Sequence, residues 1–218
     1  MAKVRLLVIV SSALLAVGLA GCTAGEDEPA PLPSTPVVQL GAPGEPNRTL
    51  SPSEAAGLGT IDYVEEDVLF VRDMLHHHSQ AIQMTGYVEE RTTDGDIRLL
   101  AERMQVSQTD EITQLETWLQ KRGEPVRDPD GDHAHDAQSM PGLLTDDELA
   151  QLEAAEGDAF DELFLASMIR HHEGAVQMVS DLYASGGGQE PEIDAFARHV
   201  EADQNIEIVR MQEMLAER

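Results

Sequence analysis

Two short stretches of this 218-residue chain set paired histidines in the same company of methionines. The first reads Met74-Leu75-His76-His77-His78-Ser79-Gln80-Ala81-Ile82-Gln83-Met84. The second reads Met168-Ile169-Arg170-His171-His172-Glu173-Gly174-Ala175-Val176-Gln177-Met178. Imidazole is a donor to zinc, copper and iron, and thioethers beside it favour copper, Cu(I) above all. His77, His78, His171 and His172, with Met74, Met84, Met168 and Met178, are therefore the candidate metal ligands. Any one of these methionines alone reads as a core gap-filler. Their repetition beside the histidines is what points to a site.

The spacing says which way these side chains face. An α-helix turns about 100° per residue. With Met74 at zero, Phe70, Ala81 and Val88 fall within about 40° of it, and His77 and His78 fall at about −60° and +40°. Both histidines thus bracket the centre of one apolar stripe. His76 falls on the opposite face, where its counterpart is Arg170. Asp67, matched by Asp161, sits at one end of the inward stripe. Each is a candidate for supporting a ligand, admitting an ion or closing a helix end.

A second stripe runs through Ile97, Leu100, Met104, Leu115 and Trp118, and it contains Gln108 and Glu111. A chain folded back near residue 94 sets His77 and His78 level with these two polar residues. In the second half a turn near 188 sets His172 level with Gln204, with Glu207 one turn away. The expectation is a single polar layer of four histidines, Glu111, Glu207, Gln108 and Gln204. The glutamates and glutamines would serve as additional ligands or hydrogen-bond partners.

The elements that must hold this layer are helices. Leu, Ala, Met, Glu and Gln fill the periodic segments, which favours helix. Four segments are predicted, roughly 61–91, 96–121, 145–184 and 191–217, with no strand signals. Thr145 and Glu148 form a capping-box pattern at the third. Beyond the histidine stretches, Asp67 and Phe70 match Asp161 and Phe164. Ile97, Leu100, Gln108 and Glu111 match Ile193, Phe196, Gln204 and Glu207 with two residues more in the offset. Each half is then one helical hairpin, and a hairpin cannot bury its stripe alone. Two together make an all-α four-helix bundle. Repeat 1 covers about 61–121, a linker 122–144, and repeat 2 about 145–217. The linker, with Pro125, Pro129 and Pro141, reads as a solvated loop. Its His133, His135 and Met140 are weaker candidates for accessory ligands.

The amino-terminal part reads differently. Lys3 and Arg5 precede an apolar run from Leu6 to Leu19, too short for a membrane-spanning helix of about 20 residues. Residues 1–21 read as a lipoprotein signal peptide, because Leu19-Ala20-Gly21-Cys22 resembles the lipobox of bacterial lipoproteins. Cys22, the one cysteine, is the lipidation site. Residues 22–60, rich in proline, read as a flexible tether. The chain is therefore expected to be exported and lipid-anchored on the extracytoplasmic face of the bacterial membrane. Its 41 acidic residues against 14 basic ones exclude binding to nucleic acid through phosphates. The same charge concentrates cations near the surface.

The repeated Met-x-x-His-His segments, with Met140-Pro141-Gly142 ahead of the second, resemble the family called domain of unknown function 305. The likeness covers roughly 61–217. It implies a ferritin-like four-helix bundle, usually exported, with some members binding copper. The matching positions are Met74, His77, His78 and Met84, then Met168, His171, His172 and Met178.

Three functions are weighed. The leading one is extracytoplasmic metal binding for buffering or delivery, with copper as the ion and zinc or iron as substitutes. A di-metal oxidoreductase would use Glu111, Glu207 and the histidines. Its usual Glu-x-x-His mark is absent. A metal-free bundle would use the polar layer as a hydrogen-bonded register device. No nucleophile–base signature or phosphate loop points to an enzyme. Oligomeric state is not legible.

Overall fold

The computed structural model describes residues 37–39, 46–52, 62–127 and 140–218. The signal segment, Cys22, His133 and His135 lie outside the described residues. Residues 1–59 and 60–218 are separate units. In the first, β1 (Val37–Gln39) pairs antiparallel with β2 (Arg48–Leu50), Val38 opposite Thr49. This corrects the expectation of no strands: Val37 and Val38, β-branched neighbours, find a partner in the segment read as tether.

The second unit is helical. Among the described residues it contains α1 (Glu65–Arg91), α2 (Gly95–Arg122), α3 (Asp146–Ala154), α4 (Gly157–Ser185) and α5 (Pro191–Ala216). None is long and apolar enough to cross a membrane. The short connection Thr92–Asp94 folds α2 back on α1. Asp94 caps α2, accepting from the amides of Asp96 and Ile97. α5 packs on α4 in the same manner, and α1 packs on α4.

The predicted third helix is two. Thr145 and Glu148 do form a reciprocal capping box at α3, but α3 ends at Ala154. The break comes where Gly157 takes a φ of +58°, a left-handed conformation that costs glycine little and other residues more. Sequence periodicity continues across the break because Leu152 and Phe160 are both fully buried.

The core is two apolar clusters. One gathers Phe70, Met74, Trp118, Met178, Phe196 and their neighbours; the other gathers Met84, Met104, Phe160, Phe164, Met168 and Met211. Each of the four long helices contributes to both. Between the clusters every long helix passes through a stretch that belongs to neither: His77–His78, Gln108–Glu111, His171–His172 and Gln204–Glu207. At the far end, Glu190 ties the hairpins together. It accepts from Trp118 Nε1 at 3.1 Å, from Arg122 at 2.9 Å and from the amide of Ile193 at 3.0 Å.

Candidate metal centre

The stretch between the clusters is polar and dry. The side chains of His77, His78, His171 and His172 are completely buried. Gln108, Glu111 and Gln204 are buried beside them, and Glu207 is partly exposed. The rings of His77 on α1 and His171 on α4 face each other with centroids 3.8 Å apart and a tilt of 40°. His78 and His172 flank this pair, each 6.3 Å from its neighbour in sequence.

Each outer histidine meets a glutamate from the partner helix of its own hairpin. His172 Nε2 hydrogen-bonds Glu207 Oε2 at 2.7 Å. His78 Nε2 is also 2.7 Å from Glu111 Oε2, but off the line of a hydrogen bond, so that nitrogen has no partner. The sequence register put Gln204 level with His172. The structure selects Glu207 one turn on, so equivalent residues make equivalent contacts. The two residues added to the second turn keep the repeats in step.

His77 Nε2 makes the other hydrogen bond of the set, 3.2 Å from the carbonyl oxygen of Pro141. That carbonyl is fixed by a close backbone approach. A Cβ on Gly174 would sit 2.1 Å from Pro141 O, and one on Gly142 (φ +80°) would sit 2.6 Å from Arg170 O. Only glycine on both sides lets the Met140–Gly142 turn lie on α4 beside His171. Gln80 holds the next residues through Leu144, donating to its carbonyl and accepting from its amide. Met140, read from sequence as part of a solvated loop, is buried. The apolar neighbours Phe70 and Met178 shelter it in a cleft of about 410 Å³.

Both ring nitrogens of His78 and His171, and Nδ1 of His77 and His172, find no hydrogen-bond partner in the protein. Such buried polar atoms cost about 1–3 kcal/mol each. Burial, with the neighbouring His78 next, pushes His77 down to about 3. Burial, with His77 next, pushes His171 well below its ordinary value. Both are therefore neutral at pH 7, the form in which imidazole ligates a metal. This donor set, with its unused lone pairs, fits a metal ion. Among the described residues no three His, Cys, Asp or Glu side chains already converge as a preformed cage.

The four methionines are buried on either side of the layer. Met74 and Met178 belong to one apolar cluster, Met84 and Met168 to the other. His76 and Arg170 are exposed. Asp67 lies apart from the histidines, at the end of α1. It accepts from the amide of Val64 at 3.0 Å and from Gly188 in the α4–α5 turn at 2.6 Å. Asp161 accepts from Arg218, which also reaches Asp94 in the α1–α2 turn. Each aspartate thus secures the turn of the opposite hairpin. Two participants escaped sequence reasoning. Pro141 contributes only a carbonyl, which no residue type advertises. His199, outward on α5, had one signal: its i, i+4 spacing from Asp203.

The profile of a family described as domain of unknown function (DUF305) matches residues 67–215. Among solved structures, a DUF305 protein of Streptomyces coelicolor described as secreted is 30% identical. The match covers 70% of this chain and 93% of that one, with a TM-score of 0.63. A DUF305 fragment from Deinococcus radiodurans is 32% identical, covering 72% and 99%, with a TM-score of 0.62. CopM, solved in Cu(I)-bound and Cu(II)-bound forms, is 28% identical in each, covering 69% and 96%, with TM-scores of 0.56 and 0.58. No curated protein matches.

Proposed function

This chain belongs to the DUF305 family, and from that premise we propose that it is an extracytoplasmic copper-binding lipoprotein acting in buffering or delivery. The observation that carries the reading is the set of buried imidazole nitrogens with no protein partner. A folded core tolerates such groups at a cost of about 1–3 kcal/mol each, which a bound cation offsets. His77, His78, His171 and His172 would hold the ion, with Met74, Met84, Met168 and Met178 as thioether donors. Glu111 and Glu207 stand ready as further ligands, and Gln108 and Gln204 line the layer. Asp67 and Asp161 support the ends. Copper supplies the affinity for mixed imidazole and thioether donors. The likeness to CopM in its copper-bound forms supports this ion over zinc or iron.

The architecture in this proposal is a four-helix bundle of two duplicated hairpins, 61–121 and 145–217, joined by the linker 122–144. Residues 1–21 serve as signal peptide, Cys22 carries the lipid and 22–60 form the tether. The likeness to a protein described as secreted supports export.

The test is titration of the mature chain, with Cys22→Ser to prevent lipidation, against Cu(I), Cu(II) and Zn(II). Tight copper binding that disappears in His77→Ala/His171→Ala is the expected result. A second reading has its own observation: the His172–Glu207 hydrogen bond is what a register device would use. Absence of binding to all three ions by the folded protein would favour that reading.

A further inference from the structure

Glu111 has two faces. Its Oε2 meets His78, while Oε1 lies 3.7 Å from Nε2 of His199. The His199 side chain is 54% exposed, and the same nitrogen is 3.4 Å from Asp203 Oδ2, one turn along α5. Donors therefore run from solvent towards the core: Asp203, His199, Glu111, then the fully buried His78 with its unpartnered Nε2. The other hairpin lacks this string. At the repeat offset of 96, Arg103 and Ser107 stand where His199 and Asp203 stand.

We propose that His199, Asp203 and Glu111 form an outer site for a divalent cation, Zn(II) or Cu(II), separate from the histidine layer and built on one side of the molecule only. One imidazole with two carboxylates is a donor set these ions accept. The chain's large net negative charge raises their concentration at the surface. The two carboxylates approach the same ring nitrogen from different directions. Asp203, 46% exposed, needs only a side-chain rotation to bring its oxygen to a shared ion. Glu111, almost buried, is already held in place. An arginine at the equivalent position of the other half would repel the ion.

Zinc titration of the isotope-labelled protein tests this, because zinc leaves imidazole resonances visible. The His199 ring signal shifts and saturates with zinc in the wild type and in His77→Ala/His171→Ala. Glu111→Gln and Asp203→Asn each weaken that saturation by about tenfold, the scale of losing one supporting group at a metal. A His199 signal unmoved by zinc, or one that moves equally in both carboxylate variants, overturns the site. If the double alanine variant does not fold, His199→Arg in the wild-type background provides the check. This exposed change lowers zinc stoichiometry by one, and an unchanged stoichiometry overturns the proposal. Failure of the core reading registers elsewhere, as copper-insensitive His77 and His171 signals.

Discussion

The imidazoles of His77 and His171 face each other from α1 and α4 at 3.8 Å between centroids, and neither Nδ1 has a protein partner. His171→Leu replaces an imidazole lacking any hydrogen bond with an apolar group. The metal-free variant should match or exceed the wild type by about 1–3 kcal/mol in urea unfolding. It should also lose the stabilisation that copper confers. A variant several kcal/mol weaker without metal would show that the ring nitrogens are satisfied.

Acid should unfold the metal-free protein from an unusually high pH. His77 is pushed down to about 3 in the fold, chiefly by burial, against about 6.5 in an unfolded chain. Between those values the unfolded state binds the proton and the native state does not. Stability therefore falls as pH drops below 6.5, by up to about 1.4 kcal/mol per unit for each such histidine. His171 adds in the same direction. Glu148, pulled down to about 2 mainly by Arg170, contributes only below its own unfolded value of 4.5. Denaturant midpoints between pH 6.5 and 5 isolate the histidines. A flat profile there would contradict their burial as neutral rings.

Much of this layer could be read from residue spacing. Helical periodicity turned both His-His pairs inward, because 100° per residue allows few alternatives once Met74 and Met168 are placed on the stripe. The Thr145–Glu148 cap was legible for the same local reason. The break at Gly157 was not, since apolar periodicity continues through it. The Pro141–His77 contact spans 64 residues and depends on a backbone carbonyl. No local signal encodes such a pairing. The roles of Asp67 and Asp161 needed the turns of the opposite hairpin to be in place.

Gly174→Ala should disturb both stability and binding. Its Cβ would meet Pro141 O at 2.1 Å, backbone against backbone, so the turn must move. Overpacking of this kind costs about 1–3 kcal/mol. Weaker copper binding should accompany it, because the displaced carbonyl is the partner of His77 Nε2. Thermal unfolding and copper titration of one variant read both effects. Wild-type affinity in a destabilised variant would mean that the Pro141 contact does not position the ligand.

Asp67→Asn separates fold support from ion handling. The buried carboxylate accepts from the amides of Val64 and Gly188, and charged hydrogen bonds of this type are worth about 1.5–3 kcal/mol. Unfolding in urea should show a loss on that scale with copper affinity unchanged. A drop in affinity at constant stability would instead assign Asp67 to the ion's path.

The division of the core has a consequence for how the chain reaches its native state. Ile193, Phe196, Ala197 and Val200 complete one apolar cluster, and Met211 and Met214 complete the other. All lie on α5, the last helix to be synthesised. A nascent chain emerging amino terminus first can close neither cluster until almost every residue is out. Its early hairpin must wait with an open apolar face, and folding is deferred until release, when both clusters can close together.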